Sequence, residues 1–264
     1  MKQNRKRLIL PILFFMCVLW LVSVPASAAH KYKNQWVTSS SGNYYYYNED
    51  GKKVTGIQKI GKKSYYFDKK GIQRTGWIEY KDSYYFFKLG NGTKGYRIEN
   101  KTVNGIQLKS NGKAKLNSAS RRKAKLMLQA NKLILQITNK KMTRQQKLKA
   151  AFEYTKNHLK ARNRGGFQKG GAWDVFYAEI PFQTGYADCY SYGAYFAYLA
   201  NALGYKASVV SSGGHGWAEV EGKVYDANWA KYSKVDTYFG MSYNLSGVGG
   251  RPRYKQNRAY VKAI

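Results

Sequence analysis

A cysteine, a histidine and an aspartate follow one another within residues 183–232, QTGYADCYSYGAYFAYLANALGYKASVVSSGGHGWAEVEGKVYDANWAKY, as Cys189, His215 and Asp226. Such a trio suits nucleophilic catalysis: a thiolate attacks a carbonyl, an imidazole moves the proton, and an acid orients the imidazole. The chain has two cysteines, and Cys17 lies in a stretch that reads as a removable leader. The mature chain would then hold one thiol and no internal disulfide. A lone thiol in an exported protein points to a partner chain or to a reactive sulfur. Taken alone it fits a small buried residue equally well.

The neighbourhood favours the reactive reading. From Cys189 to Leu203 the sequence CYSYGAYFAYLANAL is rich in helix formers, and Gly204 supplies a stop. Cys189 then lies in the first turn, where unpaired N–H groups favour an anion and promote thiolate formation. HGWAEV alternates as a strand, with His215, Trp217 and Glu219 on one face. Glu221-Gly222 suits a two-residue hairpin turn leading to KVYDANW. In that register Trp217 faces Asp226, Asn228 faces His215, and Asp226 is the diagonal neighbour of His215 on the same face. Asp226 is thus the expected orienter of the imidazole, with Asn228 as the lesser candidate. The Cys189 backbone N–H is the first oxyanion donor to consider. Papain-like thiol enzymes place a glutamine shortly before the nucleophile, and that resemblance implies Gln183 as the second.

Asp188-Cys189, Leu203-Gly204-Tyr205, His215-Gly216-Trp217-Ala218-Glu219-Val220 and Asp226-Ala227-Asn228-Trp229, in this order, resemble the transglutaminase-like superfamily. The resemblance covers about residues 143–232. It implies a papain-like α+β fold with Cys189 as nucleophile, His215 as base and Asp226 as orienter. It further implies acyl transfer from a glutamine or peptide carbonyl through a thioester. Members include cross-linking transferases and hydrolases. No clustered carboxylates or D-x-D-x-D-G loop occur, so neither a metal nor another cofactor is expected.

The elements that would deliver and position this stretch come earlier in the chain. Residues 1–28 read as a secretory signal: Lys2, Arg5, Lys6 and Arg7, then an apolar run from Leu8 to Val22, then Ala26-Ser27-Ala28 as the cleavage site. No second run of membrane length follows, so the expected product is a secreted protein of the cell surface or wall. The formal charge is +32, and loss of the four basic leader residues leaves +28. That excess makes polyanions the expected neighbours. Export argues against nucleic acid as the physiological partner and for an anionic wall polymer or membrane surface.

Residues 29–117 hold an internal repeat of about 20 residues. GNYYYYNEDGKKVTG (42–56) is followed by GKKSYYFDKKGIQRTG (61–76), by a third unit, KDSYYFFKLGNGTKG (81–95), and by a degenerate fourth, VNGIQLKSNGKAKLN (103–117). Each unit reads as an aromatic strand, an x-G turn and a second short strand. Single hairpins cannot bury their aromatics but stacked ones can, which gives an all-β hairpin-repeat solenoid. The block resembles the cell-wall-binding repeats of secreted Gram-positive bacterial proteins, with YYF-D-x-x-G-x-x-x-T-G-W complete from Tyr65 to Trp77. The expected wall-binding aromatics are Trp36, Tyr45, Tyr65, Tyr66, Trp77 and Tyr85. Choline recognition needs aromatic cages. Ile57 at the position equivalent to Trp77 puts choline in doubt, and an anionic glycopolymer fits this basic segment at least as well.

Residues 118–264 form the expected catalytic domain. Leu126, Ala130, Leu133, Ile134 and Ile137 make one helical stripe. Thr143 with Gln146 makes a capping box before a second stripe of Leu148, Ala151, Phe152, Thr155 and Leu159. Residues 121–169 hold 15 basic residues and one acid, Glu153. They read either as a solvated outer face or as a second polyanion contact. The tail, with Arg251, Arg253, Lys255 and Arg258, offers edge strands and no evident chemistry. The expected function is that of a wall-associated thiol acyltransferase on glutamine or peptide amides of a protein or peptide substrate. A cysteine peptidase or amidase of wall peptides is one alternative, and a non-catalytic wall-binding protein another.

Overall fold

The structure is a computed structural model that describes residues 31–90, 94–163, 165–233, 238–246, 253–254 and 258–264. The expected signal at 1–28, and Arg251 and Lys255 of the tail, lie outside the described residues. The chain is a mixed α and β protein: β-hairpin repeats first, then helices around an antiparallel sheet.

The repeat block contains β1 (Gln35–Thr38), β2 (Tyr44–Tyr47), β3 (Gly56–Ile60), β4 (Lys63–Phe67), β5 (Gln73–Arg74), β6 (Gly76–Tyr80), β7 (Ser83–Phe87), β8 (Thr102–Val103) and β9 (Ile106–Gln107). The hairpins pair β1 with β2, β3 with β4, β6 with β7 and β8 with β9. This corrects the expected order of strands. Each aromatic strand pairs mainly with the strand before it, through tight turns such as Lys81-Asp82 and Asn104-Gly105, where both residues have positive φ. The segment after the x-G turn contributes a shorter pairing: β5 behind β4, and single bridges Tyr47–Lys53, Phe87–Arg97 and Leu108–Ala114.

Two capped helices follow. In α1 (Ser118–Ile137), Asn117 accepts from the Ser120 N–H while the Asn117 N–H donates to the Ser120 side chain. In α2 (Arg144–His158), Thr143 and Gln146 form the anticipated reciprocal cap. The expected stripes are buried, Leu126, Ala130, Leu133 and Ile134 on α1 and Leu148, Ala151, Phe152 and Thr155 on α2. Next come β10 (Lys160–Ala161), α3 (Trp173–Thr184) and β11 (Tyr186–Ala187), with β10 and β11 pairing in parallel. That short pair fixes the backbone that enters α4 (Cys189–Ala202). The sequence between α2 and Cys189 is therefore more regular than its glycines suggest.

Helix α4 is apolar all round and is the centre of the core: every residue from Tyr190 to Ala200 is buried. It packs on a five-stranded antiparallel sheet built from β12 (Ala207–Ser211), β13 (Gly216–Val220), β14 (Lys223–Tyr225), β15 (Phe239–Met241) and β16 (Tyr260–Ala263). The strand order is β15-β14-β13-β12-β16, so the tail does supply both edges. Between β14 and β15 runs α5 (Ala227–Tyr232).

One core unites the repeats and the helices. Trp77, Tyr84, Ile106 and Leu108 belong to the same buried cluster as α1 and α4. Polar contacts pin the junction. Asn131 of α1 donates to the carbonyls of Thr75 and Trp77, and Asn104 donates to Asn201 of α4 at 2.9 Å. The third and fourth hairpins thus serve as one wall of the helical domain.

Candidate functional site

Cys189 opens α4, as its sequence context requires. Asp188 is the N-cap, its carboxylate accepting from the Ser191 N–H at 2.8 Å. In the first turn the Cys189 N–H has no intrahelical acceptor, which leaves it available as a donor beside its own sulfur. Cys189 is a free, half-buried thiol.

His215 lies one residue before β13 rather than within a strand. It ends a serine-braced turn: Ser212 Oγ accepts from the His215 N–H at 2.9 Å, and Ser211 Oγ accepts from the Gly213 N–H at 3.0 Å. Tyr190, next to Cys189, reaches back to this turn and donates its O–H to the Gly213 carbonyl at 2.7 Å. Two glycines then let the backbones touch. A Cβ on Gly193 would come within 2.7 Å of the Trp217 backbone, and one on Gly216 within 2.7 Å of the Tyr190 Cα. A glycine inside a helix costs about 1 kcal/mol relative to alanine. Here Gly193 allows α4 to approach β13 closely enough to bring Cys189 and His215 together.

Asp226 reaches His215 by another route than a strand register. Pairing of β13 with β14 runs from Val220–Lys223 to Ala218–Tyr225, through a turn at Glu221-Gly222 with both φ positive, as expected. Asp226 then leaves the ladder and becomes the N-cap of α5, its Oδ1 accepting from the Trp229 N–H at 2.9 Å. Its Oδ2 contacts His215 Nε2 at 2.6 Å. Asn228, expected opposite His215, is instead in the first turn of α5, because the Asp226 cap ends the strand two residues earlier.

The environment sets the charge of the imidazole. Burial disfavours the cation, but the Asp226 carboxylate, its hydrogen bond and the adjacent Cys189 sulfur outweigh burial and raise the His215 pKa to about 10. His215 is thus an imidazolium at neutral pH, with Nε2–H donating to Asp226 and the Cys189 side chain within hydrogen-bonding reach of the ring. Asp226 is 1% exposed. Its Oδ2 also accepts from the Tyr254 O–H at 2.8 Å. The fixed cap, the imidazolium and the tyrosine together satisfy a buried carboxylate.

Tyr254 comes from the tail in which the sequence shows no chemistry, and no spacing rule singles it out among the many tyrosines. Trp217, beneath His215, donates to the Tyr243 hydroxyl, and Tyr243 donates to Glu219 Oε2 at 2.7 Å. Arg258 forms an ion pair with the same Glu219. The Trp and Glu of H-x-W-x-E-V therefore brace the strand. On the open side, Trp229 is 41% exposed with its ring 6.1 Å from that of His215, so it forms an apolar lip to the site. Gln183 lies on the exposed last turn of α3, and no hydrogen bond among the described residues joins it to Cys189 or His215. Among the described residues no three His, Cys, Asp or Glu side chains gather to hold a metal ion. No helix of the described residues is long and apolar enough to cross a membrane.

The aromatics of the repeats divide into two groups. Trp77 and Tyr85 are buried, 2% and 6% exposed, and so correct the expectation that they contact wall polymer. Trp77 packs on Phe86 and donates to Asn104, because α1 covers the face of β6. Trp36, Tyr45, Tyr65 and Tyr66 are half-buried. Trp36 is the centre of a cluster with Tyr46, Tyr65 and Phe67, at ring separations of 5.5, 4.9 and 5.5 Å. The Lys94 ammonium lies 5.0 Å above the Trp36 ring, and the Lys53 ammonium 4.1 Å above Tyr45. These open rings already hold cations.

Residues 54–95 match the choline-binding repeat. Streptococcal and phage proteins also show likenesses to this chain. A glucosyltransferase-I of Streptococcus downei is 33% identical over 102 residues, 37% of this chain. The chain spans only 6% of that relative's length. The choline-binding domain of a Streptococcus pneumoniae protein is 24% identical, with 31% of this chain and 93% of that one covered and a TM-score of 0.28. A multimodular pneumococcal cell-wall endolysin from phage Cp-1, complexed with choline, is 26% identical. There the cover is 33% of this chain and 25% of the endolysin, with a TM-score of 0.24.

Proposed function

We propose that this protein is a bacterial cell-wall-binding protein whose repeats take choline groups of a wall polymer. The match of residues 54–95 to the choline-binding repeat supports this reading and reverses the balance that the sequence alone suggested against choline. The chemistry of the open aromatics agrees with it. A quaternary ammonium is attracted to the face of a Trp or Tyr ring, and the Trp36 cluster holds an ammonium, that of Lys94, in such a position. Choline would replace Lys94 there. The test is retention of the mature protein on a quaternary-amine matrix and its elution by free choline. Flow-through at moderate salt, or elution by salt alone, would count against choline.

A second reading concerns the C-terminal domain, and the 2.6 Å contact between His215 and Asp226, with Cys189 beside the imidazole, supports it. In this reading the domain is a transglutaminase-like thiol enzyme. The Cys189 sulfur attacks an amide carbonyl carbon, forming a C–S bond. The C–N bond breaks, and the leaving amine takes the proton of the His215 imidazolium. An incoming amine or water then attacks the thioester, gives its proton to His215 and releases Cys189. The product is an isopeptide with an amine acceptor, or an acid with water. The Cys189 N–H is positioned to donate to the carbonyl oxygen as it gains charge. The two readings are compatible: the repeats would hold the enzyme against wall-linked peptide or protein amides. Trapping a thioester on Cys189 with a glutamine-containing peptide, followed by intact mass measurement, tests the second reading. An unmodified thiol would leave the protein as a binding module alone.

A further inference from the structure

A groove of about 720 Å³ separates the first two repeats from the turn between α1 and α2. Its charged lining residues are Arg74, Lys140, Arg144 and Lys147, with no acid among them. The two arginines are already engaged. Arg74 pairs with Asp68 at 2.7 Å. Arg144 donates to the Gly204 carbonyl, pairs with Glu221 and stacks on Tyr205. Among the described residues, neither Lys140 nor Lys147 makes an ion pair.

Lys140 is exposed at the groove, but its stem is held against the first repeat. A Cβ on Gly42 of the first repeat would meet the Lys140 Cβ at 3.1 Å, so the lysine stem packs against that turn. Desolvation in the groove, then the charges of Lys147 and Arg74, lower its pKa from the usual lysine value. Like charges kept together without a counter-charge are relieved by an anion. The free groups also select the kind of anion. A planar carboxylate is best matched by an open guanidinium edge, but Arg74 gives its Nε and one terminal nitrogen to Asp68, and the Arg144 Nε is buried away from the groove space. Lysine ammoniums, in contrast, act as point charges that suit a tetrahedral phosphate. Leu135, 42% exposed at the groove edge, offers apolar contact to the carbon chain between charges.

We infer that this groove binds the phosphate groups of a phosphodiester-linked polymer, with Lys140 and Lys147 as the direct contacts. The physiological partner rests on the wall-binding reading, but the site does not depend on choline or on the thiol.

The test uses the mature full chain, a synthetic six-unit glycerol phosphate oligomer, and polyglutamate of equal charge, with binding measured at several salt concentrations. K140Q/K147Q is expected to weaken oligomer binding about tenfold and to flatten its logarithmic salt dependence by roughly 1 to 2, as for the loss of two phosphate contacts. K101Q/K109Q removes two exposed charges of the fourth hairpin outside the groove and is expected to change binding less than twofold. An unchanged circular dichroism spectrum and melting temperature of K140Q/K147Q verify its folding independently of choline. Equal weakening by both double variants would assign binding to the general positive charge and overturn the site. An equal loss of polyglutamate binding in K140Q/K147Q would overturn the preference for phosphate.

Discussion

Gly216 approaches Tyr190 so closely that a Cβ on the glycine would lie 2.7 Å from the tyrosine Cα. Each of these residues adjoins a member of the proposed catalytic pair, His215 and Cys189. The contact is between backbones, so no rotamer change relieves it. Gly216→Ala is expected to force α4 and β13 apart, with a stability loss of about 1–3 kcal/mol and at least a tenfold slower reaction of Cys189 with iodoacetamide. Gly214→Ala is the control, since nothing lies within 4 Å of its added Cβ. Equal alkylation rates in the two variants would mean that the close approach does not position the thiol.

Stability should depend on pH through His215. Its folded pKa is raised to about 10 from the ordinary 6.5. A raised folded pKa stabilises fully below the unfolded value, and the contribution is lost as pH rises through the folded value. The melting temperature is therefore expected to fall by several degrees between pH 6.5 and pH 10. His215→Ala should remove that part of the slope. An unchanged slope in the variant would show that the imidazolium–carboxylate pair does not contribute.

Tyr254→Phe removes a donor from a carboxylate that is 1% exposed. Hydrogen bonds to charged groups contribute about 1.5–3 kcal/mol, and a stability loss in that range is expected. Because Tyr254 positions Asp226 rather than touching substrate, the variant should also change the pH dependence of Cys189 alkylation. A loss of stability with the wild-type pH profile would limit Tyr254 to packing.

For the repeats, Trp36→Ala is expected to abolish retention on a quaternary-amine matrix, and Lys94→Ala to strengthen it by removing the internal competitor. Trp77→Ala should behave differently, destabilising the fold by about 3–5 kcal/mol, since Trp77 is a core residue. Retention that survives Trp36→Ala would move choline to another site.

Much of the site could be read from the sequence because local rules position its parts. The apolar run ending in Leu203-Gly204 marks α4 and puts Cys189 at its start, and Glu221-Gly222 fixes the hairpin that carries Asp226 towards His215. The same hairpin rule misled at Asn228, since period-two alternation does not reveal that the Asp226 side chain caps a helix. Tyr254 could not be anticipated, because it reaches Asp226 from a distant segment with no periodic signal. The repeats were legible as hairpins, but which strand pairs with which depended on the Lys81-Asp82 and Asn104-Gly105 turns, where only one of the four residues is glycine. The burial of Trp77 was hidden because α1, which covers it, follows the repeats and packs back across them.

If Cys189 and His215 act as one unit, the alkylation rate of Cys189 against pH shows it. In the mature wild type, alkylation at neutral pH should be at least tenfold faster than in His215→Ala, since the imidazole lies beside the sulfur. The shape of the rate against pH should also differ between the two proteins, because the charge of His215 is removed in the variant. Identical profiles in the two proteins would contradict a working pair and leave a wall-binding protein with an inert cysteine.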